Sequence, residues 1–339
     1  MTTSLVPPSS PRAAGAVQAP DALTEASTLV GAALGRVVER LDPSLHEPVR
    51  HHLAGGGKHV RAGLVLIVAS ALGAVADDAI PGAVAIELVH NYSLLHDDIV
   101  DGDRERRHRP TVWAQYGEGV AIVAGDALAA LAMQVLLDVP TPARMEAARR
   151  LVDANQAMIA GQSQDMAFET RDRVTVEECL AMERGKTGAL LSAACAIGAV
   201  LGGADAATAD ALAEYGEHLG IAFQAVDDLL GVWGDPSVTG KPVGADLLAR
   251  KKALPVAVAF ERGGALAGEL AGIFSHPLGT AEVRQATRLL ERAGVRGAVA
   301  EIADEHLRLG LAALDRVELA AEPREDLVEI ARYVTARDR

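Results

Sequence analysis

An all-α fold is predicted by three features of the 339-residue chain. Half of the residues are apolar and only 3% are aromatic, and the alanine- and leucine-rich balance favours close-packed helices over aromatic-rich β-sandwiches. From Leu23 almost to the C-terminus apolar residues recur at helical spacing. Pro and Gly clusters at 42–48, 54–57, 77–82, 138–142, 202–205, 234–244 and 275–279 break that pattern, leaving helices of roughly ten to twenty-five residues. No strand-like alternation runs into a glycine-rich turn, which excludes a Rossmann unit and a P-loop.

Residues 1–20 are rich in Pro, Ser and Ala and are expected to form a disordered arm, with docking to a partner as the second reading. Residues 21–339 show no shift in composition and are expected to form one helical domain. The net charge of −14 argues against nucleic acid as a partner, because phosphate-backbone binders present a basic surface. Cys179 and Cys195 lack zinc spacing and are too few for a disulfide framework, so both are expected to be small core residues in a reduced cytoplasm. No secretory signal opens the chain. The uncharged runs 62–76 and 187–204 are too short or too marginal for a bilayer and are expected to be buried helices, so no membrane span is predicted.

The chemistry is carried by a few charged clusters, taken in chain order. In AGGGKHVRAG, Lys58 and Arg61 follow three glycines and share one face of a helix's first turn, where backbone N–H groups already attract anions. His90 lies two turns before the next cluster, and it and His96 are read as hydrogen-bond donors rather than metal ligands. In LLHDDIVDGDRERRHRPT, Asp97, Asp98 and Asp101 fall within roughly a third of a helix's circumference. Like charges so close are unfavourable without a cation, and a hard ion such as Mg2+ suits carboxylates together with diphosphate oxygens.

Arg106 and Arg107 follow; on a helix their side chains would diverge by ~100° and serve two anions. Lys186 opens the second uncharged run, and Lys241, Lys251 and Lys252 lie after the later aspartates; a lysine there can reach a phosphate oxygen. Asp227 and Asp228 end another apolar helix and are expected to share a site with the first carboxylates, as in bundles whose facing helices project ligands inward. Taken singly, each cluster would read as a solvated surface feature.

In this order the motifs resemble the trans-isoprenyl diphosphate synthases, the polyprenyl synthetase family, from about residue 25 to the C-terminus. GGGKHVR resembles the family's GGKRxRP, ELVHNYSLLHDDIVD its first aspartate-rich motif, and RRHRPT its RRGxPT; KTG, FQAVDD and GKPVGADLLARKKALP complete the set. The resemblance implies an all-α bundle around a deep apolar cavity, usually a homodimer, with three Mg2+ ions held by Asp97, Asp98, Asp101, Asp227 and Asp228. It assigns Arg106, Lys186, Thr187, Gln224, Lys241 and Lys251 to an allylic diphosphate, and Lys58, Arg61, His90 and Arg107 to isopentenyl diphosphate. Tyr92 and Ser93, just ahead of the first aspartates, are the expected floor for the growing chain. With only two residues between Asp98 and Asp101, they favour a twenty-carbon, geranylgeranyl product, with fifteen and twenty-five carbons open.

The sequence departs from the family at Gly231, where the second motif usually ends in aspartate, at His108 in place of glycine, and at His59 and Ala62 in place of Arg and Pro. A class I terpene cyclase on the same scaffold is the first alternative, although it needs no second diphosphate pocket. A non-catalytic regulatory subunit is the second, with Gly231 its main support.

Overall fold

A computed structural model describes residues 19–235 and 243–336; the arm up to residue 18 and Lys241 lie outside them. The described residues are helical almost throughout. The first helices are α1 (Asp21–Val38), α2 (Pro43–Leu53), α3 (Val60–Ala71) and α4 (Ala76–Val100), followed by β1 (Glu105–Arg106), β2 (Arg109–Pro110), α5 (Val112–Tyr116), α6 (Glu118–Leu137) and α7 (Pro142–Glu169). Then come α8 (Val176–Glu183), a π-helical turn (Arg184–Gly188), α9 (Ala189–Leu201) and α10 (Ala206–Trp233). The chain ends with α11 (Ala245–Leu248), α12 (Leu254–Arg262), α13 (Gly264–Phe274), α14 (Thr280–Arg292), α15 (Val295–Leu314) and α16 (Ala321–Thr335).

Local chemistry sets several boundaries. Asp42 caps α2 by accepting from the Ser44 N–H at 2.9 Å, and Thr175 with Glu178 forms a reciprocal capping box at α8. The two uncharged runs behave as expected: α3 and α9 are buried on nearly every side, which is what an all-round apolar helix requires. Both cysteines are free and buried.

Two apolar clusters form the interior. One gathers α1, α3, α4, α6, α7, α9, the first half of α10 and α16; the other gathers α8, the C-terminal half of α10 and the segments from α11 to α15. Helix α10 contributes to both, so its C-terminal aspartates are held at their junction. Among the described residues α6 alone has the length and composition to cross a membrane, yet Ala121, Ala124, Leu128, Leu131 and Val135 on its inner side are buried in the first cluster.

Two local expectations fail. Lys58 does not share the first turn of α3 with Arg61; it lies ahead of the helix, beyond His59, whose φ is 44°. Arg106 and Arg107 do not lie on a helix; they belong to a short antiparallel hairpin in which Glu105 pairs with Pro110 and Arg106 with Arg109. Arg107 and His108 form its two-residue turn, both with positive φ, 52° and 60°, the backbone that a primed hairpin turn demands. The turn still separates the two arginines, by reversing the chain between them rather than by helical rotation.

Candidate active site

The C-terminal end of α4, the first turn of α3, the hairpin, α7, the π turn and α10 enclose a cavity of about 1060 Å3. Its lining includes the apolar side chains of Met158, Leu190, Leu191, Leu219 and Phe223 together with a dense set of charged residues. The π turn can approach α7 closely because residue 161 is glycine: a Cβ there would lie 2.3 Å from the Lys186 backbone nitrogen. That contact sets Lys186 against α7, where its Nζ meets Asp165 Oδ2 at 2.5 Å.

The first acidic motif divides. Asp97 lines the cavity, and burial pushes its carboxyl up to about 6, with Lys186 opposing and Asp101 adding to the rise. Asp101 caps the end of α4 and is exposed. Asp98 instead turns into the protein, is 1% exposed, and accepts from Arg106 Nε at 2.7 Å. Arg106 is thereby tied to the acidic wall while keeping a place in the cavity lining.

The second motif divides in the same way. Asp227 lines the cavity, while Asp228 is 6% exposed and faces the second apolar cluster. Its Oδ2 accepts from the Leu254 N–H at 2.8 Å and its Oδ1 from Gln224 Nε2 at 3.2 Å. Gln224 in turn accepts from Thr187 Oγ1 at 3.0 Å. Burial pushes the Asp228 carboxyl up to about 7. This chain of bonds ties the KTG turn, α10 and the start of α12 into one support beneath Asp227.

Gly231 does not leave a simple gap. A Cβ on that residue would fall 1.8 Å from Asp246 Oδ2, so the side chain of α11 already occupies the space an aspartate would take. Burial depresses the Lys251 ammonium, but Asp246, Asp101, Asp165 and Asp228 together outweigh it and raise its pKa. Lys251 therefore sits among carboxylates from both motifs. Gly231→Asp is expected to lower the melting temperature, by overpacking against Asp246, rather than to raise activity; thermal melts and initial rates of the variant check this.

The basic side is equally dense. Lys58, Arg61, His90 and Arg107 all line the cavity. Arg61 Nη1 lies 3.4 Å from His90 Nε2, and Lys58 Nζ stands 4.7 Å from the centre of the Tyr333 ring. The Arg107 guanidinium lies over the glycine loop, 3.4 Å from the point where a Cβ on Gly57 would be. Burial, together with the Arg61 and Arg107 charges, holds His90 well below the usual histidine range, and burial brings His52 to about 4. Both rings are neutral at pH 7, which leaves the positive charge to the lysine and arginines.

Tyr92 and Ser93 also line the cavity. Sequence reading missed Asp165, Gln162, Glu87 and Asp246. Gln162 and Asp165 stand three apart on α7, one face of one helix, and that pair in GQSQDM was the available signal. Glu87 had none, being a lone acid in an apolar run.

The mouth of the site offers carboxylate oxygens, the donor set that suits Mg2+ rather than a softer metal. The raised Asp97 carboxyl marks a buried negative site that a divalent cation would relieve. Among the described residues, the group of three donor atoms lying within 4.8 Å of one another is a different one, Cys179, Glu183 and Asp228, all buried. Burial raises the pKa of the Cys179 thiol far above neutral, so the sulfur stays protonated and a poor ligand.

The pattern described as Polyprenyl synthetase matches residues 42–290. Over 328 residues the chain is 42% identical to the (2E,6E)-farnesyl diphosphate synthase of Mycobacterium bovis, covering 92% of this chain and 91% of that protein. It is 41% identical over 322 residues to the geranylgeranyl diphosphate synthase of Mycobacterium tuberculosis, covering 90% and 91%. A crystal structure of polyprenyl synthetase from Streptomyces coelicolor A3(2) matches with a TM-score of 0.88 at 45% identity, covering 92% of this chain and 98% of that one. With acidic and basic residues lining one apolar cavity and kinship along nearly its whole length, the chain belongs to the polyprenyl synthetase family, as a short-chain trans-prenyl diphosphate synthase.

Proposed function

We propose that this protein joins isopentenyl diphosphate head-to-tail to an allylic diphosphate, and that its main product is geranylgeranyl diphosphate. The observation that carries the transfer reaction is the pairing of an acidic group, at Asp97 and Asp227, with a separate cationic group, at Lys58, Arg61 and Arg107, around one apolar cavity. Two diphosphates need two such sites, whereas a cyclase needs one.

Asp97, Asp101 and Asp227 would hold Mg2+, which when bound neutralises a leaving diphosphate. Lys186, Arg106, Thr187, Gln224 and Lys251 bind the allylic diphosphate; Asp98 and Asp228, expected from the sequence as metal ligands, instead position Arg106 and Gln224. Lys241 is assigned to the same diphosphate from the sequence alone. Lys58, Arg61, Arg107 and the neutral His90 orient isopentenyl diphosphate. The allylic C–O bond breaks with its electron pair leaving on the diphosphate. The double bond of isopentenyl diphosphate then forms the new C–C bond, and the released diphosphate takes the proton. Apolar walls keep water from the cation. Tyr92 and Ser93 close the path of the growing chain.

We assign the catalytic unit to residues 21–339 and place it in the cytoplasm as a homodimer. Met145, Val152, Ile159 and Met166 recur every seventh residue along α7 and are each 44–49% exposed, the last two also lining the cavity; Ile122 and Val123 on α6 are exposed as well. A seven-residue apolar stripe is what a second helix packs against. Val152→Asp is expected to convert the dimer to monomer in light scattering at micromolar concentration; an unchanged mass would place the interface elsewhere.

The reaction is tested with purified protein, Mg2+, an allylic diphosphate and isopentenyl diphosphate, which should yield an elongated diphosphate. Cyclic hydrocarbon formed without isopentenyl diphosphate would overturn the assignment.

A further inference from the structure

Tyr92 lies five residues before Asp97 on α4, about 7.5 Å along the helix from the acidic mouth at ~1.5 Å per residue. Its ring lines the cavity while only 7% exposed, so it is nearly enclosed by protein. A tyrosine anchored only by its backbone can change rotamer and open a path past itself. Here the ring is held at two further points, one on another helix and one a turn along its own. Its hydroxyl donates to Asn155 Oδ1 on α7, crossing from one wall to another. Its edge meets the His96 ring, with centroids 5.6 Å apart and planes at 73°.

His96 is itself confined. Its Nε2 lies 3.2 Å from the Ile122 carbonyl on α6, and a Cβ on Gly125 would fall 2.2 Å from the same nitrogen. The imidazole therefore fills a place that only glycine leaves open. The Tyr92 ring is thus a shelf with supports on α4, α6 and α7.

We infer that Asn155 is a specificity-determining residue, which pins the Tyr92 hydroxyl and so sets the length at which the prenyl chain stops growing. This rests on the prenyl transfer reaction proposed above. A single hydrogen bond of this kind biases a rotamer equilibrium by roughly fivefold. Rotamer exchange is fast beside turnover, so the product mixture reports the populations of closed and open shelf. Asn155 touches no reacting atom; it acts through Tyr92.

The test compares wild type, Asn155→Ala, Tyr92→Phe and the double variant under excess isopentenyl diphosphate, with product length read by mass spectrometry after dephosphorylation. Each single variant should raise the ratio of longer product to the wild-type product by about threefold or more, and the double variant should add nothing further, because both remove one bond. Tyr92→Ala, which removes the shelf itself, should shift the mixture furthest. In Asn155→Ala the KM for isopentenyl diphosphate should stay within about twofold of wild type and the melting temperature within a few degrees. Wild-type product lengths in both single variants, or an additive double variant, would overturn the role of Asn155 while leaving prenyl transfer intact. A wild-type protein that makes no prenyl diphosphate would overturn the reaction assignment and the latch together.

Discussion

Asp97→Asn is expected to lower turnover by about a thousandfold or more, because it removes a carboxylate from the mouth at which the leaving diphosphate must be neutralised. The same substitution should stabilise the metal-free protein. The folded carboxyl titrates at about 6 because of its burial, above the ~3.9 of an ordinary aspartate. The folded state therefore holds this proton more tightly than the unfolded state does. The resulting cost is absent below about pH 4, grows as the pH rises, and is complete above the folded pKa. At pH 7.5 without metal the variant should gain roughly 1–2 kcal/mol, or about 1–3 °C in Tm, and at pH 4 it should gain nothing. Saturating Mg2+ with inorganic diphosphate should stabilise wild type more than the variant. Full activity in the variant, or a stability difference that ignores pH, would contradict the role given to Asp97.

Arg61→Ala should act on the other diphosphate and on the fold together. The guanidinium is buried and sits within the fields of Glu87 and Asp227, which oppose the burial that depresses it. Glu87 is 4% exposed, and without Arg61 it keeps only the Asn91 amide, which donates to its Oε1 at 3.2 Å, His59, whose Nδ1 lies 3.0 Å from the same oxygen, and the more distant Arg107 charge. Leaving a buried carboxylate so poorly compensated is expected to cost roughly 2–4 kcal/mol. Loss of a charge-assisted bond to phosphate should raise the KM for isopentenyl diphosphate roughly tenfold to a hundredfold. The KM for the allylic diphosphate should change by less than about threefold, since Lys186 and Arg106 are untouched. Arg61→Lys should recover part of the stability, having a charge but no planar fork. An equal rise in both KM values would make Arg61 a structural residue only.

Much of the fold was legible because its signals are local. Helical spacing, the breaks at Pro and Gly, and the uncharged runs that became α3 and α9 depend on neighbours within a few turns. The first acidic motif was legible for the same reason: Asp97 and Asp101 meet at fixed spacing at the end of one helix, whatever surrounds them. The hairpin at 105–110 was hidden because a run of arginines carries no strand periodicity, and positive φ at Arg107 and His108 is rare enough for non-glycine residues that composition does not announce it.

Spacing along the chain thus settled an all-helical architecture and the residue types of a diphosphate site. It did not settle which carboxylate of each pair meets the substrate. Asp97 and Asp98 differ by ~100° around one helix, and the packing of α4 alone turns the first to the cavity and the second to Arg106. The same holds for Asp227 and Asp228 on α10. Long-range approach decided the rest. Asp246 enters the space beside Gly231 from another helix, Asp165 meets Lys186 across a glycine contact, and Asn155 reaches Tyr92 from 63 positions away. Helix rotation and close approach are set by how whole faces pack, and no short stretch of sequence contains that information.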